Sequence, residues 1–111
     1  MKINSKLLTK IKYKANNAGA ISIGFIGIEW GTVTIAPSSG SSPDYYGSAQ
    51  VTFKNTYTHN PCMIANAGAG YQSIKNVSTL NVTTTSGTVW AVASATTSRI
   101  YKYFVIGFVN N

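Results

Sequence analysis

Acidic residues are almost absent: Glu29 and Asp44 are the only two side-chain carboxylates in 111 residues, against nine lysines and arginines. Enzymatic hydrolysis of a sugar needs a pair of carboxylates at a set separation, so here it would require this one pair to meet by folding. Glu29, beside Trp30 at a strand boundary, reads instead as a surface or intersubunit ion-pair residue. Histidine is as scarce, with His59 alone in a turn between Thr58 and Asn60-Pro61. A nucleophilic triad needs a histidine with an orienting acid, and a zinc site needs several His or Cys ligands. The sequence therefore predicts no enzyme, no metal and no cofactor.

Cys62 is the single cysteine and cannot form an internal disulfide, so folding needs no oxidising compartment. Its place before Met63, Ile64 and Ala65 predicts a buried strand thiol. No apolar run approaches the roughly 20 residues of a membrane-spanning helix. The basic start followed by residues 18–28 has the outline of a secretion signal, but Asn16, Asn17, Gly24 and Gly27 break it and no small-x-small cleavage site follows.

Charged residues make up only 10% of the chain, whereas Ser, Thr and Asn supply 35 of its 111 residues. Hydroxyls and amides must therefore cover the solvent face, a composition that suits exposed strands. A hydrophobic content of 44% is enough for one core, and the length fits one domain. The net charge of +7 raises the question of nucleic acid. Five of the nine cations fall in the first fourteen residues, and Lys54, Lys75, Arg99 and Lys102 are scattered, with no basic stripe interleaved by aromatics. Nucleic acid is not the expected partner.

Along the chain, Ile3, Leu7, Leu8 and Ile11 stand at helical spacing among lysines, while residues 10–14 alternate as a strand would. A helix this short is marginal unless it packs on something, so residues 1–19 are expected to form a helical or extended docking segment. From residue 20 to 111 the pattern is strand-like, with candidates at 21–28, 31–36, 49–53, 62–67, 79–85, 88–93 and 101–109. This predicts an all-β fold, a six- to seven-stranded antiparallel β-sandwich. Ser86-Gly87 reads as a hairpin turn, and residues 37–47 read as a mobile polar loop. Gly68, Ala69 and Gly70 lack the spacing of a phosphate cradle and read as a loop. The last strand is apolar on both faces, so it is central or covered by another subunit.

Aromatic side chains beside polar ones supply the remaining chemistry. They are Asp44, Tyr45 and Tyr46; His59 and Asn60; Tyr71 with Gln72; and Arg99 with Tyr101. Flat aromatic faces stack on sugar C–H groups while amides, carboxylates and guanidinium groups bond hydroxyls, so these are candidate glycan contacts.

Residues 28–109 resemble the H-type lectin-like domains of free lectins and of bacteriophage tail-fibre and baseplate tips. The resemblance is carried by Trp30, Gly31, Thr32, Val33, Thr34 and Ile35, by Val51, Thr52, Phe53 and Tyr57, and by Pro61, Cys62, Met63 and Ile64. It continues through Val82-Thr83 and Ser86 to Val89 and ends at Phe104, Val105, Ile106 and Gly107. It implies a homotrimeric sandwich that binds carbohydrate near subunit boundaries, with Tyr101 matching an aromatic sugar contact. Trp30, Thr79 and residues 95–97 depart from the lectins' sugar-contacting positions and fit the phage receptor-binding version, in which loops vary and the frame stays. The implied setting is a virion tail assembled in the bacterial cytoplasm, with residues 1–19 facing other tail or baseplate proteins; a purely structural trimeric tail or baseplate subunit and a secreted free lectin are the alternatives.

Overall fold

The computed structural model describes residues 8–69 and 72–110. These form nine strands: β1 (Thr9–Ala15), β2 (Ala18–Ile23), β3 (Ile26–Ile35), β4 (Ser39–Ser41), β5 (Asp44–Thr52), β6 (Cys62–Ala67), β7 (Ile74–Leu80), β8 (Ser86–Ala93) and β9 (Arg99–Phe108). The larger sheet has the order β1-β2-β3-β9-β6 and the smaller β4-β5-β8-β7, and every pairing is antiparallel. The all-β sandwich expected from alternation is the observed fold. Among the described residues no helix is long and apolar enough to cross a membrane.

Period-two alternation builds the core between the sheets. β8 turns Gly87, Val89, Ala91 and Ala93 inward, and β9 turns Tyr101, Val105 and, just past its end, Val109 the same way. These pack with Ile35, Val51, Phe53 and Met63. Each large apolar side chain so buried contributes about 1.5–3 kcal/mol relative to exposure. β9 is central in its sheet, with β3 in register along ten residues on one side and β6 on the other.

Several boundaries differ from expectation. The helix-or-strand competition in residues 10–14 resolves as strand: Thr9–Ala15 pairs with β2 around a turn at Asn16-Asn17, and residue 19 lies inside β2. Residues 1–7 lie outside the described residues. Residues 37–47 form a hairpin, with Ser39, Gly40 and Ser41 pairing Tyr46, Tyr45 and Asp44. Ser86-Gly87 opens β8 opposite Thr52 and Val51. The chain reverses instead at 81–85, where Asn81 takes a left-handed conformation (φ 53°) and Thr83 accepts from the Thr85 and Ser86 amides.

Glu29, expected at the surface, is 1% exposed. Its inward position on β3 is made tolerable by three donors: the Lys54 amide at 2.9 Å, the Asn55 amide at 3.2 Å and the Tyr57 hydroxyl at 2.8 Å. Hydrogen bonds to a charged acceptor are the strong kind, so one carboxylate ties residues 54–57 to the larger sheet. Burial pushes the Tyr57 phenol well above its ordinary range. Cys62 is also misplaced by the sequence reading: its thiol is exposed because β6 turns Met63 inward and Cys62 and Ile64 outward.

The two outer faces are unlike. On the larger sheet, register aligns Ile23, Ile26 and Phe108 in one row; Ile11, Ile21, Ile28, Ile106 and Cys62 in the next; and Trp30, Phe104 and Ile64 in a third. Ile64 and Phe108 are each 60% exposed. A fourth row, Thr32, Lys102 and Asn66, is polar. On the smaller sheet the outward residues of β5, Asp44, Tyr46, Ser48, Gln50 and Thr52, continue into Trp90 and Thr88 of β8 and Asn76 and Ser78 of β7.

Candidate functional site

β5 and β8 run antiparallel with Tyr46 opposite Val92 and Ser48 opposite Trp90. Tyr46 and Trp90 are thus diagonal neighbours on the outward face, their ring centroids 6.3 Å apart and their planes tilted by 34°. Diagonal pairs of long side chains across a ladder are within reach of each other, and Tyr46 is still 43% exposed. Ser48, Gln50, Asn76 and Ser78 frame the two rings in register. At the end of this field Lys75 Nζ lies 2.7 Å from Asp44 Oδ1. Both side chains are well exposed, so the ion pair contributes roughly 0–1 kcal/mol to stability; chemically, it sets a donor and an acceptor beside the aromatic pair.

The candidate residues divide between this field and places far from it. Asp44 and Tyr46 are in the field, and Tyr45 turns to the opposite side of β5, half-buried. His59 and Asn60 are exposed near the other end of the molecule, where the Thr58 amide bonds Phe108 O and Thr58 Oγ1 lies 3.1 Å from His59 Nδ1. Arg99, at the near end of β9, pairs with Ile35, whose side chain approaches Gly47. The nine steps from Arg99 to Phe108 span about 30 Å at strand rise, which separates His59 and Asn60 from the Asp44 end. Tyr71 lies outside the described residues.

Tyr101 is a correction. It and Arg99 share a face of β9, as a spacing of two requires, but that face is the inward one, and Tyr101 is 0% exposed. Its buried hydroxyl has no hydrogen-bond partner among the described residues. Desolvation raises the phenol's pKa, with the nearby Arg99 charge opposing. It is a core residue, not a surface contact. The two carboxylates do not meet either, since Glu29 points into the interior from β3 while Asp44 stands outward on β5 paired to Lys75.

Sequence reasoning missed Trp90, Lys75, Asn76 and Ser78. Alternation in Val89, Trp90, Ala91 and Val92 is visible in the sequence, but apolar residues occupy both phases, so it does not say which side is outward. Small residues at 87, 91 and 93 were the available signal, because a thin sandwich packs small side chains inside and leaves the indole out.

The architecture is an antiparallel β-sandwich of two sheets, and two solved structures share it. The C-terminal part of the P. aeruginosa R2 pyocin fibre matches with a TM-score of 0.66 at 15% identity, over 95% of this chain and 27% of that one. An N-truncated R1-type pyocin tail fibre matches with a TM-score of 0.65 at 12% identity, over 95% of this chain and 89% of that one. The chain thus spans 27% of the R2 fibre structure. No protein-family model matches the sequence, and no curated protein is significantly similar to it. At such low identity the likeness establishes a shared fold, which agrees with the tail-fibre part of the resemblance read from the sequence.

Proposed function

We propose that this protein is a receptor-binding subunit of a phage-tail type of fibre, which binds a host cell-surface glycan through the outer face of its smaller sheet and catalyses nothing. The observation that carries the reading is the Tyr46–Trp90 pair, two partly open rings framed by four hydroxyl and amide side chains and the Asp44–Lys75 pair. Aromatic faces stack on the apolar side of a sugar ring, and the surrounding groups both donate and accept toward hydroxyls. The fold shared with pyocin tail fibres supports a place in a virion tail.

Copies associate as a homotrimer through the first two apolar rows of the larger sheet, centred on Ile28 and Ile106, which leaves the Trp30 row at the margin. Contiguous exposed apolar surface of this kind marks an interaction site, and a second copy is the occupant that the resemblance to trimeric tips favours. The experiment is an array of bacterial surface polysaccharides probed with wild-type protein and Trp90→Ala, alongside light scattering. Binding that Trp90→Ala removes without changing the oligomer mass supports the reading. A stable trimer that binds no glycan would make the chain a purely structural tail subunit.

A further inference from the structure

Where β2 begins after the Asn16-Asn17 turn, the larger sheet carries a cavity of about 500 Å³ on its outer side. Its walls include Asn16, Asn17, Trp30, Thr32, Ile100 and Lys102. Trp30 is opposite Gly19 in register, and a Cβ at Gly19 would fall 2.5 Å from Trp30 Cζ2 and 2.9 Å from Cη2. Glycine at 19 is therefore what lets the indole lie down on the neighbouring strand. One ring face is covered by backbone, while Trp30 as a whole is 41% exposed. Two amides, a hydroxyl and an ammonium surround this platform, and Lys102 also borders a second depression of about 230 Å³ shared with Ile64, Asn66 and Phe104.

Among the described residues no side-chain carboxylate pairs with Lys102. The chain's two carboxylate side chains are both committed elsewhere, Glu29 to the Lys54 and Asn55 amides and Tyr57, and Asp44 to Lys75. The same holds for a second copy packed against the apolar rows, which would bring no free side-chain carboxylate to this cavity. An ammonium group donates only, so its ligand must bring acceptor oxygens, and an anionic one is favoured over a neutral one by charge.

We infer that this cavity is a second saccharide site, distinct from the Tyr46–Trp90 face, and that it takes an acidic sugar whose ring stacks on Trp30 and whose carboxylate or phosphate meets Lys102. Asn16, Asn17 and Thr32 serve the ring hydroxyls. The ion contact is exposed and weakens with salt, whereas stacking does not.

The test uses the full chain against neutral, carboxylate-bearing and phosphate-bearing bacterial polysaccharides at low and high salt, with a single-stranded oligonucleotide as a separate arm. Binding of carboxylate- or phosphate-bearing members should be salt-sensitive, and the two arms identify which group is read. Lys102→Gln should lower that affinity about tenfold or more and Lys102→Arg should restore most of it, while Trp30→Ala should weaken it at both salt concentrations. Binding confined to neutral members, or to none, overturns the inference. So does acidic-sugar binding that Lys102→Gln and Trp30→Ala leave unchanged. If Trp90→Ala then removes that binding, the first face stands and only this second site falls. Tighter Lys102-dependent binding of the oligonucleotide than of any polysaccharide would also reject it.

Discussion

The two outer faces of this sandwich are built from strands with the same period-two alternation, yet one carries mainly isoleucine and phenylalanine where the other carries mainly serine, glutamine and asparagine. The interior between them is ordinary. A face that water must wet is polar with a few aromatic exceptions, and a face rich in exposed branched and aromatic carbon costs free energy until something covers it. On the function proposed above, association falls to the apolar rows of one sheet, and recognition to the polar face of the other and to the Trp30–Lys102 cavity beside those rows.

The comparison breaks most severely if the shared interior fails. Tyr101→Ala should destabilise the domain by about 3–5 kcal/mol, as for other buried aromatics, seen as a lowered urea midpoint. Tyr101→Phe should be neutral or stabilising, because it removes a buried hydroxyl that has no partner among the described residues. Reduced stability in Tyr101→Phe would mean that the hydroxyl makes a bond of its own.

Next is the apolar face. Ile106→Glu puts a charge at the centre of the second row, beside Ile28 and Cys62. Burying an unpaired charge at an interface costs several kcal/mol, on the order of 3–5, so the variant should run as a monomer of 11.8 kDa with unchanged circular dichroism. The matching change on the other face, Gln50→Glu, should leave the mass at three chains.

A smaller effect sharpens the polar side. Trp90→Ala should weaken glycan binding by about 1–3 kcal/mol, the usual range for an aromatic contact at a binding surface, and Tyr46→Ala by a similar amount. His59→Ala, about 30 Å away along the strands, should change nothing measurable on the same array.

A graded effect belongs to alkaline pH. Burial raises the phenol pKa of Tyr57, Tyr101 and Tyr103 in the fold. Above pH about 10 the unfolded chain releases these protons while the folded chain retains them. The unfolded state then binds fewer protons, so stability falls as pH rises, by about 1.4 kcal/mol per pH unit for each phenol affected. Urea midpoints at pH 9, 10 and 11 should show the decline, and Tyr101→Phe should make it shallower.

Strand content was legible in the sequence because alternation and turn residues are local signals. β6 was read with its bounds intact, and β9 was placed within two residues at each end. The failures share a cause in tertiary context. Residues 10–14 carried both periods, and pairing with β2 decided between them. Ser86-Gly87 has turn composition, but Asn81 and Thr83 supply the positive φ and the local hydrogen bonds that reverse the chain. The site was half legible: Asp44 and Tyr46 stood out as an aromatic beside a carboxylate, whereas Trp90 and Lys75 arrive from other strands through register. Tyr101 was misread because Tyr101, Tyr103, Phe104 and Ile106 place large side chains in both phases of β9, leaving the inward phase ambiguous. Glu29 was misread because nothing local to it shows the Lys54 and Asn55 amides and the Tyr57 hydroxyl, 25 to 28 residues away, that make its burial possible.

The division of labour between the faces is most directly tested by thiol reactivity in the assembled wild-type background. Cys62 reports on the apolar face, where a lone chain leaves it exposed; a Gln50→Cys variant carrying Cys62→Ser reports on the polar one. The account predicts rapid maleimide labelling at position 50 and slow labelling of Cys62, with Cys62 becoming fast in the Ile106→Glu monomer. Equal, fast labelling at both positions in the native protein would show that the apolar face is uncovered and would contradict it.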